Sequence, residues 1–354
     1  MGLRPRSCAS TSHSPLTIRL TNTSIRGKTT VRHKVICIQP LHPEGMKILN
    51  SRDDLEIIVP ASPDPATWAN FLPGAEAICV RLTKITRAMM EAAPDLKIIS
   101  RHGVGFDTID VTAATERGVI VATVGLANAP SVVEHTIAMM YALAKRLHEF
   151  DRAVREGDYY RGRTKLASMD VAGRTVLIIG LGRIGSRLAK ALNALGLKCL
   201  GVDPAYTAAE IEAMGCEPVA DFRSALPRAD FVTVHCPLQD DTRGLIGAPE
   251  LALLKPSAYV INCARGGIVD EAALVEALNG GRIKGAALDV QVSEPPATND
   301  PLLACERLIL TPHSAAATPE TALRSSVAVA QNVVDYFDGR VPVSHVVNPE
   351  VLER

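Results

Sequence analysis

Apolar runs rich in β-branched residues alternate with helix-length amphipathic segments along the chain from residue 34 onward. This alternation is typical of βαβ units, in which helices cover both faces of a parallel sheet. The runs form two series, separated by a long amphipathic stretch. The first series predicts strands at 35–38, 56–59, 77–80, 97–100 and 119–123, and the second predicts strands at 176–179, 199–202, 231–234, 259–262, 286–290 and 308–310. The sequence therefore predicts an α/β protein with two parallel sheets.

Helices are expected in the segments between these runs. The pattern predicts helices at 87–93, 111–117, 185–195, 271–278 and about 319–336. The stretch at 131–156 predicts one long helix that joins the two sheets, with Ser131 as its N-cap. A length of 354 residues agrees with about two domains.

Composition and charge exclude several classes of protein. Hydrophobic residues make up 47% of the chain and charged residues 21%, which is ordinary for a globular domain with a sizeable core. The net charge is +0, so a dedicated nucleic-acid binder is not expected. No uninterrupted apolar run reaches the length of a membrane span. The eight cysteines contain no C-x-x-C pair, which argues against a metal site and a secreted disulfide framework and favours reduced thiols in a cytoplasmic protein.

Residues 1–33 differ from the rest of the chain. They are rich in Arg, Ser and Thr and contain no acidic residue. This composition resembles an organellar transit peptide, and the alternative is a disordered extension or an over-long start assignment. Either way the leader is excluded from the fold, and an organellar location remains the alternative to the cytoplasm.

A glycine-rich loop follows the strand predicted at 176–179. Gly180 permits a tight turn, Gly182 lets the backbone approach a pyrophosphate, and Gly185 lets helix and strand pack closely. Asp203 ends the next strand, where a carboxylate accepts from the ribose hydroxyls of NAD and repels the 2′-phosphate of NADP. Arg183 is expected to face the pyrophosphate, or else to be solvated. The loop therefore predicts an NAD site.

Further motifs complete a pattern. They are the segments 180–185, 235–238 with 242–246, 262–271, 287–290 with Glu294-Pro295, and 311–316. Together they resemble the D-isomer-specific 2-hydroxyacid dehydrogenases, over about residues 35–350. Within that family the likeness is greatest to the short D-3-phosphoglycerate dehydrogenases, since the chain leaves no room for a C-terminal regulatory domain. Two rival readings are an NAD-binding corepressor of the same fold and a formate dehydrogenase, in which a glutamine stands where Glu294 stands here.

The resemblance implies the domain organisation. It implies two Rossmann-like, doubly wound parallel-sheet domains, one flavodoxin-like and one NAD-binding, with the active site in the cleft between them. The substrate domain is expected to be discontinuous, at 34–130 plus 312–354, and the NAD domain is expected at 131–311. The family also implies a homodimer formed through the NAD domain, to which the helix at 131–156 is a candidate contributor.

Reduction of a 2-oxo acid requires a cation for the substrate carboxylate, a proton donor and a group that orients this donor. Arg265, which follows a predicted strand, fits the cation, because a guanidinium pairs its donors with a carboxylate. His313, which follows the last strand, fits the proton donor. Glu294 fits the carboxylate that fixes the imidazole and favours its protonated form, although Glu134 and Glu320 are alternatives in principle.

The resemblance implies further cofactor and substrate contacts. Asp289 is expected to take the nicotinamide carboxamide, and His235 to pack near the nicotinamide ribose. The expected cofactor contacts also include Ile184, Cys236, Pro237, Thr242, Cys263, Ala264, His313 and Ala315.

Substrate contacts are expected from the first domain. Gly103, Val104 and Gly105 predict an anion-binding nest of backbone amides, or else a tight structural turn. Arg81 is expected to face the substrate or to be solvated, and His102 to reach the substrate or to lie at the mouth of the cleft. Two departures from the phosphoglycerate enzymes of the family are visible. A serine is expected after the arginine in those enzymes, but Leu82 follows Arg81 here, and His102 replaces a small residue that is often seen at its position. The substrate is therefore left open among 3-phosphoglycerate, hydroxypyruvate and glyoxylate.

Overall fold

The computed structural model describes residues 32–353. The leader predicted at 1–33 lies outside the described residues, apart from Arg32 and His33. His33 already begins the first strand.

The first domain is built on a five-stranded parallel sheet. Its strands are β1 His33–Cys37, β2 Leu55–Ile58, β3 Ala75–Val80, β4 Ile98–Arg101 and β5 Ile120–Ala122, and its helices are α1 Pro43–Asn50, α2 Arg87–Glu91 and α3 Val111–Glu116. The strand order is β2-β1-β3-β4-β5, the flavodoxin-like order.

The second domain is built on a seven-stranded parallel sheet. Its strands are β6 Thr175–Ile179, β7 Lys198–Val202, β8 Glu217–Pro218, β9 Phe231–Val234, β10 Tyr259–Asn262, β11 Gly285–Leu288 and β12 Leu308–Leu310. Its order is β12-β11-β10-β9-β6-β7-β8, as in dinucleotide-binding sheets. Every residue of β9, β10 and β11 is buried, because helices cover both faces. The predicted class, two doubly wound parallel sheets, is confirmed.

The remaining helices connect and cover these strands. They are α4 Ala129–Lys145, α5 Leu147–Arg155, α6 Tyr159–Lys165, α7 Gly185–Ala194, α8 Ala208–Ala213, α9 Phe222–Ala225, α10 Ala248–Leu253, α11 Glu271–Asn279 and α12 Pro319–Phe337. Helix α4 packs on α7, β10 and β11 of the second domain.

The C-terminal part of the chain returns to the first sheet. Helix α12 packs on α1 and β4, so closely that a Cβ at Gly45 would lie 2.6 Å from the Ser326 carbonyl oxygen. Beyond it the Thr123 amide donates to the His345 carbonyl at 2.8 Å, and the Val347 amide donates to the Val121 carbonyl at 2.8 Å. The boundaries 34–130 plus 312–354 and 131–311 stay a prediction.

The single helix predicted at 131–156 is wrong in two respects. Helix α4 begins at Ala129, because Pro130 suits the first turn, and the Ser131 hydroxyl bonds to the Thr321 hydroxyl of α12 at 2.7 Å instead of capping. The helix also ends early, since Arg146 adopts a left-handed conformation (φ 51) and separates α4 from α5. The joining segment therefore consists of two helices.

None of the helices within residues 32–353 combines the length and apolar composition needed to cross a bilayer. Over the same residues no cluster of three or more His, Cys, Asp or Glu side chains could hold a metal ion. The seven cysteines in the described range are free thiols.

Candidate active site

The carboxyl ends of the second sheet carry the residues predicted for catalysis. Arg265 follows β10, Glu294 follows β11, and His313 follows β12. The loop after β4 in the first domain faces them, and Arg265 Nε donates to Asp107 Oδ2 of that loop at 2.7 Å. The candidate site therefore lies between the two sheets, at the edge where ligands bind in open α/β folds.

The glycine loop after β6 has no room for side chains at two of its three glycines. Gly180 has a φ of +92, and a Cβ there would lie 2.7 Å from the Cys236 amide nitrogen. A Cβ at Gly185 would overlap the Gly180 carbonyl oxygen. At Gly182, in contrast, a Cβ would meet nothing within 4 Å, so the backbone borders open space. This is the opening that a pyrophosphate requires.

The surroundings of the glycine loop also fit a dinucleotide. Helix α7 begins beside it, and its N-cap residue Ile184 makes no side-chain cap, so the helix end is free for an anion. At the end of β7, Asp203 accepts from the Leu181 amide at 2.7 Å and from the Ala205 amide at 2.9 Å. These bonds hold the carboxylate beside the loop, as a ribose contact needs.

Arg183 makes a contact that the sequence does not predict. Its Nη2 donates to the carbonyl of Ser344, in the C-terminal segment that pairs with the first sheet. The predicted pyrophosphate role of Arg183 stays a prediction. In this structure the side chain links the glycine loop to the opposite domain.

His235 and its neighbours border the glycine loop from β9. His235 Nε2 bonds to Thr233 Oγ1 at 2.9 Å, whereas Nδ1 is buried and has no partner within residues 32–353. Burial lowers the pKa of His235 to about 4, so the ring is neutral near pH 7. Thr242 Oγ1 donates to the Pro237 carbonyl at 2.7 Å and so shapes this edge. An unpartnered buried nitrogen beside the glycine loop fits a ligand there.

Two cysteines at this edge are poor nucleophiles. Burial raises the pKa of Cys236 to about 11 and that of Cys263 to about 12. Cys263 Sγ packs 3.7 Å from Met139 Sδ of α4. Next to it, the Ala264 amide donates to Asn262 Oδ1 at 2.9 Å. Both thiols therefore stay protonated, and any cofactor contact here is one of packing.

Glu294 and His313 form a direct pair. Glu294 Oε2 lies 2.8 Å from His313 Nδ1, and the two side chains are 37% and 49% exposed. Glu294 Oε1 accepts from the Gln291 amide at 3.1 Å, which orients the carboxylate. With Nδ1 engaged, Nε2 is the ring nitrogen left for a substrate. The structure brings together the predicted acid and its carboxylate, and not Glu134 or Glu320.

Asp289 is buried and serves the turn that carries His313. Its Oδ1 accepts from the Ser314 amide at 2.8 Å and from Thr311 Oγ1 at 2.5 Å, and its Oδ2 accepts from the Ala315 amide at 2.9 Å. Its carbonyl accepts from the His313 amide at 2.7 Å. The predicted contact to the carboxamide stays a prediction; the bonds present hold the loop after β12.

Arg265 is held at the domain interface by three contacts. Besides the Asp107 bond, Nη1 donates to the Ala264 carbonyl at 2.6 Å. Its Nη2 passes so close to Gly105 that a Cβ at that position would overlap it. The edge formed by Nη1 and Nη2 keeps donors that a substrate carboxylate can share.

Sequence reasoning missed Arg101, which ends β4. Burial, then the charge of Arg265, lowers the pKa of Arg101 to about 10. Its Nη1 donates to the His102 carbonyl at 2.7 Å, and its Nε is buried without a partner among the described residues. Arg81 is a further positive neighbour, and Asp107 supplies the negative charge. The position of Arg101, two residues before Gly103, was the signal available.

His102 and Arg81 line a separate cavity of about 210 Å³ at the carboxyl ends of β1, β3 and β4. His102 Nε2 lies 3.1 Å from the Ser326 hydroxyl. Burial, then the charge of Arg81, lowers the pKa of His102. His102 therefore serves as a neutral hydrogen-bonding group and does not add a charge to Arg81.

A family model described as the NAD binding domain of the D-isomer specific 2-hydroxyacid dehydrogenases matches residues 137–315. The D-3-phosphoglycerate dehydrogenase of Methanocaldococcus jannaschii is 39% identical over 319 residues, 90% of this chain and 60% of that protein. The glyoxylate reductase of Aeropyrum pernix is 37% identical over 332 residues, 91% of this chain and 98% of that protein. The chain thus spans about 60% of the length of the first relative.

Solved structures agree with these relatives. The PH0520 protein of Pyrococcus horikoshii superposes with a TM-score of 0.79 at 31% identity, covering 91% of this chain and 97% of that one. A D-lactate dehydrogenase of Aquifex aeolicus, complexed with NAD and lactic acid, gives 0.79 at 28% identity, covering 89% and 99%.

Proposed function

The chain belongs to the D-isomer-specific 2-hydroxyacid dehydrogenase family and carries its NAD-binding domain, and from this premise we propose that it interconverts a D-2-hydroxy acid and its 2-oxo acid with NAD(H). The observation that supports this most is the 2.8 Å contact between Glu294 and His313, at the sheet edge that also presents Arg265. A positioned imidazole at the same sheet edge as a guanidinium suits proton transfer to an anionic keto acid.

The residues that would hold the cofactor are the loop 180–185, Asp203 and the edge at 235–237. Bound nicotinamide supplies the hydride in reduction and accepts it in oxidation. The protein's part is to orient the reactants and to exclude water between the two domains.

His313 moves the proton in this proposal. In reduction Nε2 begins protonated and gives its proton to the new hydroxyl oxygen, and in oxidation it begins neutral and takes that proton. Glu294 holds Nδ1, so the ring keeps one orientation. Arg265 binds the substrate carboxylate through its Nη1 and Nη2 edge and polarises the keto oxygen.

Glu294→Gln tests the pair through the rate. Glutamine keeps an oxygen that can accept from Nδ1 but deletes the charge of the carboxylate, so the hydrogen bond that orients the ring becomes a weaker, neutral one. Reduction at neutral pH should lose part of the roughly 100- to 10,000-fold that a positioned acid contributes. The measurement is kcat in each direction at neutral pH, and an unchanged kcat for reduction contradicts the assignment.

A second test concerns the cofactor. We expect a strong preference for NADH over NADPH, because Asp203 would repel a 2′-phosphate. Asp203→Asn keeps a side-chain oxygen that can accept from the Ala205 amide but removes the charge. It should therefore lower the ratio of kcat/KM with NADH to kcat/KM with NADPH about tenfold, the size of one like-charge contact near a surface.

The control for this test is Asp221→Asn. Asp221 Oδ1 likewise accepts an amide two residues on, from Arg223 at 3.0 Å. This variant should leave the cofactor ratio unchanged. Equal use of NADPH and NADH by the wild type removes Asp203 from the proposed role.

The substrate that we propose carries a second anionic group, as the 3-phosphoglycerate pair does. Support comes from the charges around Arg101: after burial, the guanidinium groups of Arg265 and Arg81 both lower the pKa of Arg101, and the only carboxylate among the main influences on it is Asp107, which is already paired with Arg265. Such an excess of positive charge favours a doubly anionic ligand. Hydroxypyruvate and glyoxylate remain the alternatives, and the named relatives include a glyoxylate reductase.

The deciding experiment follows NADH absorbance with phosphohydroxypyruvate, hydroxypyruvate and glyoxylate. The highest kcat/KM is expected for the phosphorylated acid. A preference for glyoxylate would overturn the substrate and leave the reaction class standing. Failure to turn over any of the three, with either cofactor, would overturn the reaction class and favour an NAD-binding scaffold.

We also propose a homodimer formed through the NAD domain. Large apolar side chains are exposed on α5 and α6, where Leu147, Val154 and Tyr160 are 56%, 58% and 78% exposed. Patches of this kind mark interaction sites. The solution mass of the purified protein tests this, and a monomer mass contradicts it. The proposed location is the cytoplasm, or an organelle if residues 1–33 are a transit peptide.

A further inference from the structure

A histidine outside the Glu294–His313 pair reaches the loop that carries His313. His135 lies on α4, and its Nε2 is 3.2 Å from Thr311 Oγ1 and 3.5 Å from Asp289 Oδ1. Its side chain is 23% exposed, whereas that of Asp289 is 1% exposed. These contacts join helix α4 to the loop that carries His313.

The direction of these hydrogen bonds follows from the number of protons. The Thr311 hydroxyl has one proton, and the 2.5 Å contact to the Asp289 carboxylate takes it. The Thr311 oxygen is then an acceptor toward His135, so His135 presents a proton on Nε2. The result is one chain of donors from His135 through Thr311 to Asp289.

This series of hydrogen bonds ends on the turn that carries His313. His313 has a φ of +49, a left-handed conformation that a residue other than glycine keeps only when its surroundings enforce it. Asp289 enforces it through the amides of His313, Ser314 and Ala315. A Thr311 hydroxyl free to rotate would withdraw one of the donors that fix the Asp289 carboxylate.

We propose that His135 is a positioning residue for the reaction, which orients the Thr311 hydroxyl toward Asp289 and thereby holds the His313 imidazole where it transfers its proton. This rests on the proposed dehydrogenase function. Loss of His135 would disturb the geometry of proton transfer. It should therefore lower kcat and leave the binding of substrate and cofactor nearly unchanged.

The test is a double-mutant cycle on His135 and Thr311 in the full chain. His135→Ala should lower kcat about 10- to 100-fold in both directions, with KM for the 2-oxo acid and NADH affinity by fluorescence changed less than threefold. His135→Gln, whose amide can still donate, should recover most of kcat. In a Thr311→Val background His135→Ala should cost less than a further twofold, since the oxygen it orients is gone.

A matched histidine separates positioning from general stability. His33 on β1 is also partly exposed, at 33%, and bonded to a carboxylate, Glu76 Oε1 at 2.9 Å. His33→Ala should lower the Tm and leave kcat unchanged. If His135→Ala does not fold, the cycle is run with His135→Gln, alone and combined with Thr311→Ser or Thr311→Val. A loss of kcat caused by His135→Gln that is the same whichever residue stands at position 311 counts against the proposal.

Three results overturn the proposal: wild-type kcat in His135→Ala, losses that multiply in the double variant, or a loss that falls on KM and NADH affinity alone. The proposed function fails differently. A wild-type protein that turns over none of the three 2-oxo acids contradicts the dehydrogenase assignment, whereas an active wild type with an indifferent His135 contradicts only this inference.

Discussion

Replacement of His313 by alanine should reduce turnover in both directions to near background. In the proposed mechanism the imidazole gives the proton in reduction and takes it in oxidation, and a positioned acid–base group contributes roughly 100- to 10,000-fold to the rate. Its Nδ1 is held by Glu294 at 2.8 Å, which leaves Nε2 as the nitrogen that would carry the proton. Turnover is followed by NADH absorbance, and NADH binding by its fluorescence, which should remain within a few-fold of the wild type.

The comparison variant for His313→Ala is His148→Ala. His148 is exposed on α5, away from the catalytic loop. It should retain wild-type kcat. If His313→Ala kept a tenth or more of the wild-type rate, His313 would not be the proton donor.

Arg265→Lys should lower kcat/KM about 30- to 900-fold, which corresponds to a loss of about 2–4 kcal/mol in transition-state binding. A lysine carries the charge, but it cannot bond to Asp107 and the Ala264 carbonyl while pairing two donors with a carboxylate. We expect both KM to rise and kcat to fall, because in the proposed mechanism the guanidinium binds the substrate and polarises its keto oxygen. Steady-state kinetics with the preferred 2-oxo acid measures both.

Arg223→Lys is the matched control for Arg265→Lys. Arg223 Nε also donates to a carboxylate, Glu250 Oε1 at 2.8 Å, but lies on α9, before β9 and far from its carboxyl end. It should leave kcat/KM unchanged. Near-normal efficiency in Arg265→Lys would place the substrate cation elsewhere.

The strand pattern was predictable because buried parallel strands leave a strong local signal. Strands β9, β10 and β12 occur at the predicted residues, because short apolar runs rich in β-branched residues and bounded by turns are typical of buried strands. The strand β8, in contrast, has two residues, Glu217–Pro218, which is too short for any periodicity. The break between α4 and α5 at Arg146 was not predictable from the sequence pattern either, because only the backbone conformation of that residue marks it.

The candidate site was predictable where function depends on a residue type at a strand end. Arg265, Glu294 and His313 follow successive strands, so their order along the chain already places them at one edge. Contacts between domains carry no such signal. Asp107 meets Arg265 across 158 positions of sequence, and Ser344 meets Arg183 across 161. These pairs depend on how two separately encoded sheets pack, which local spacing does not describe.

The left-handed backbone at His313 sets stability against activity. A residue other than glycine in such a conformation costs roughly 1–3 kcal/mol, and glycine would adopt it without strain. Selection for a more stable fold alone would therefore replace His313, and selection for the proposed proton transfer would retain it. His313 and Arg146 are the two residues other than glycine with a left-handed backbone among residues 32–353, and only His313 has a proposed part in the chemistry. A screen for thermostable variants of this chain should therefore favour inactive ones at position 313.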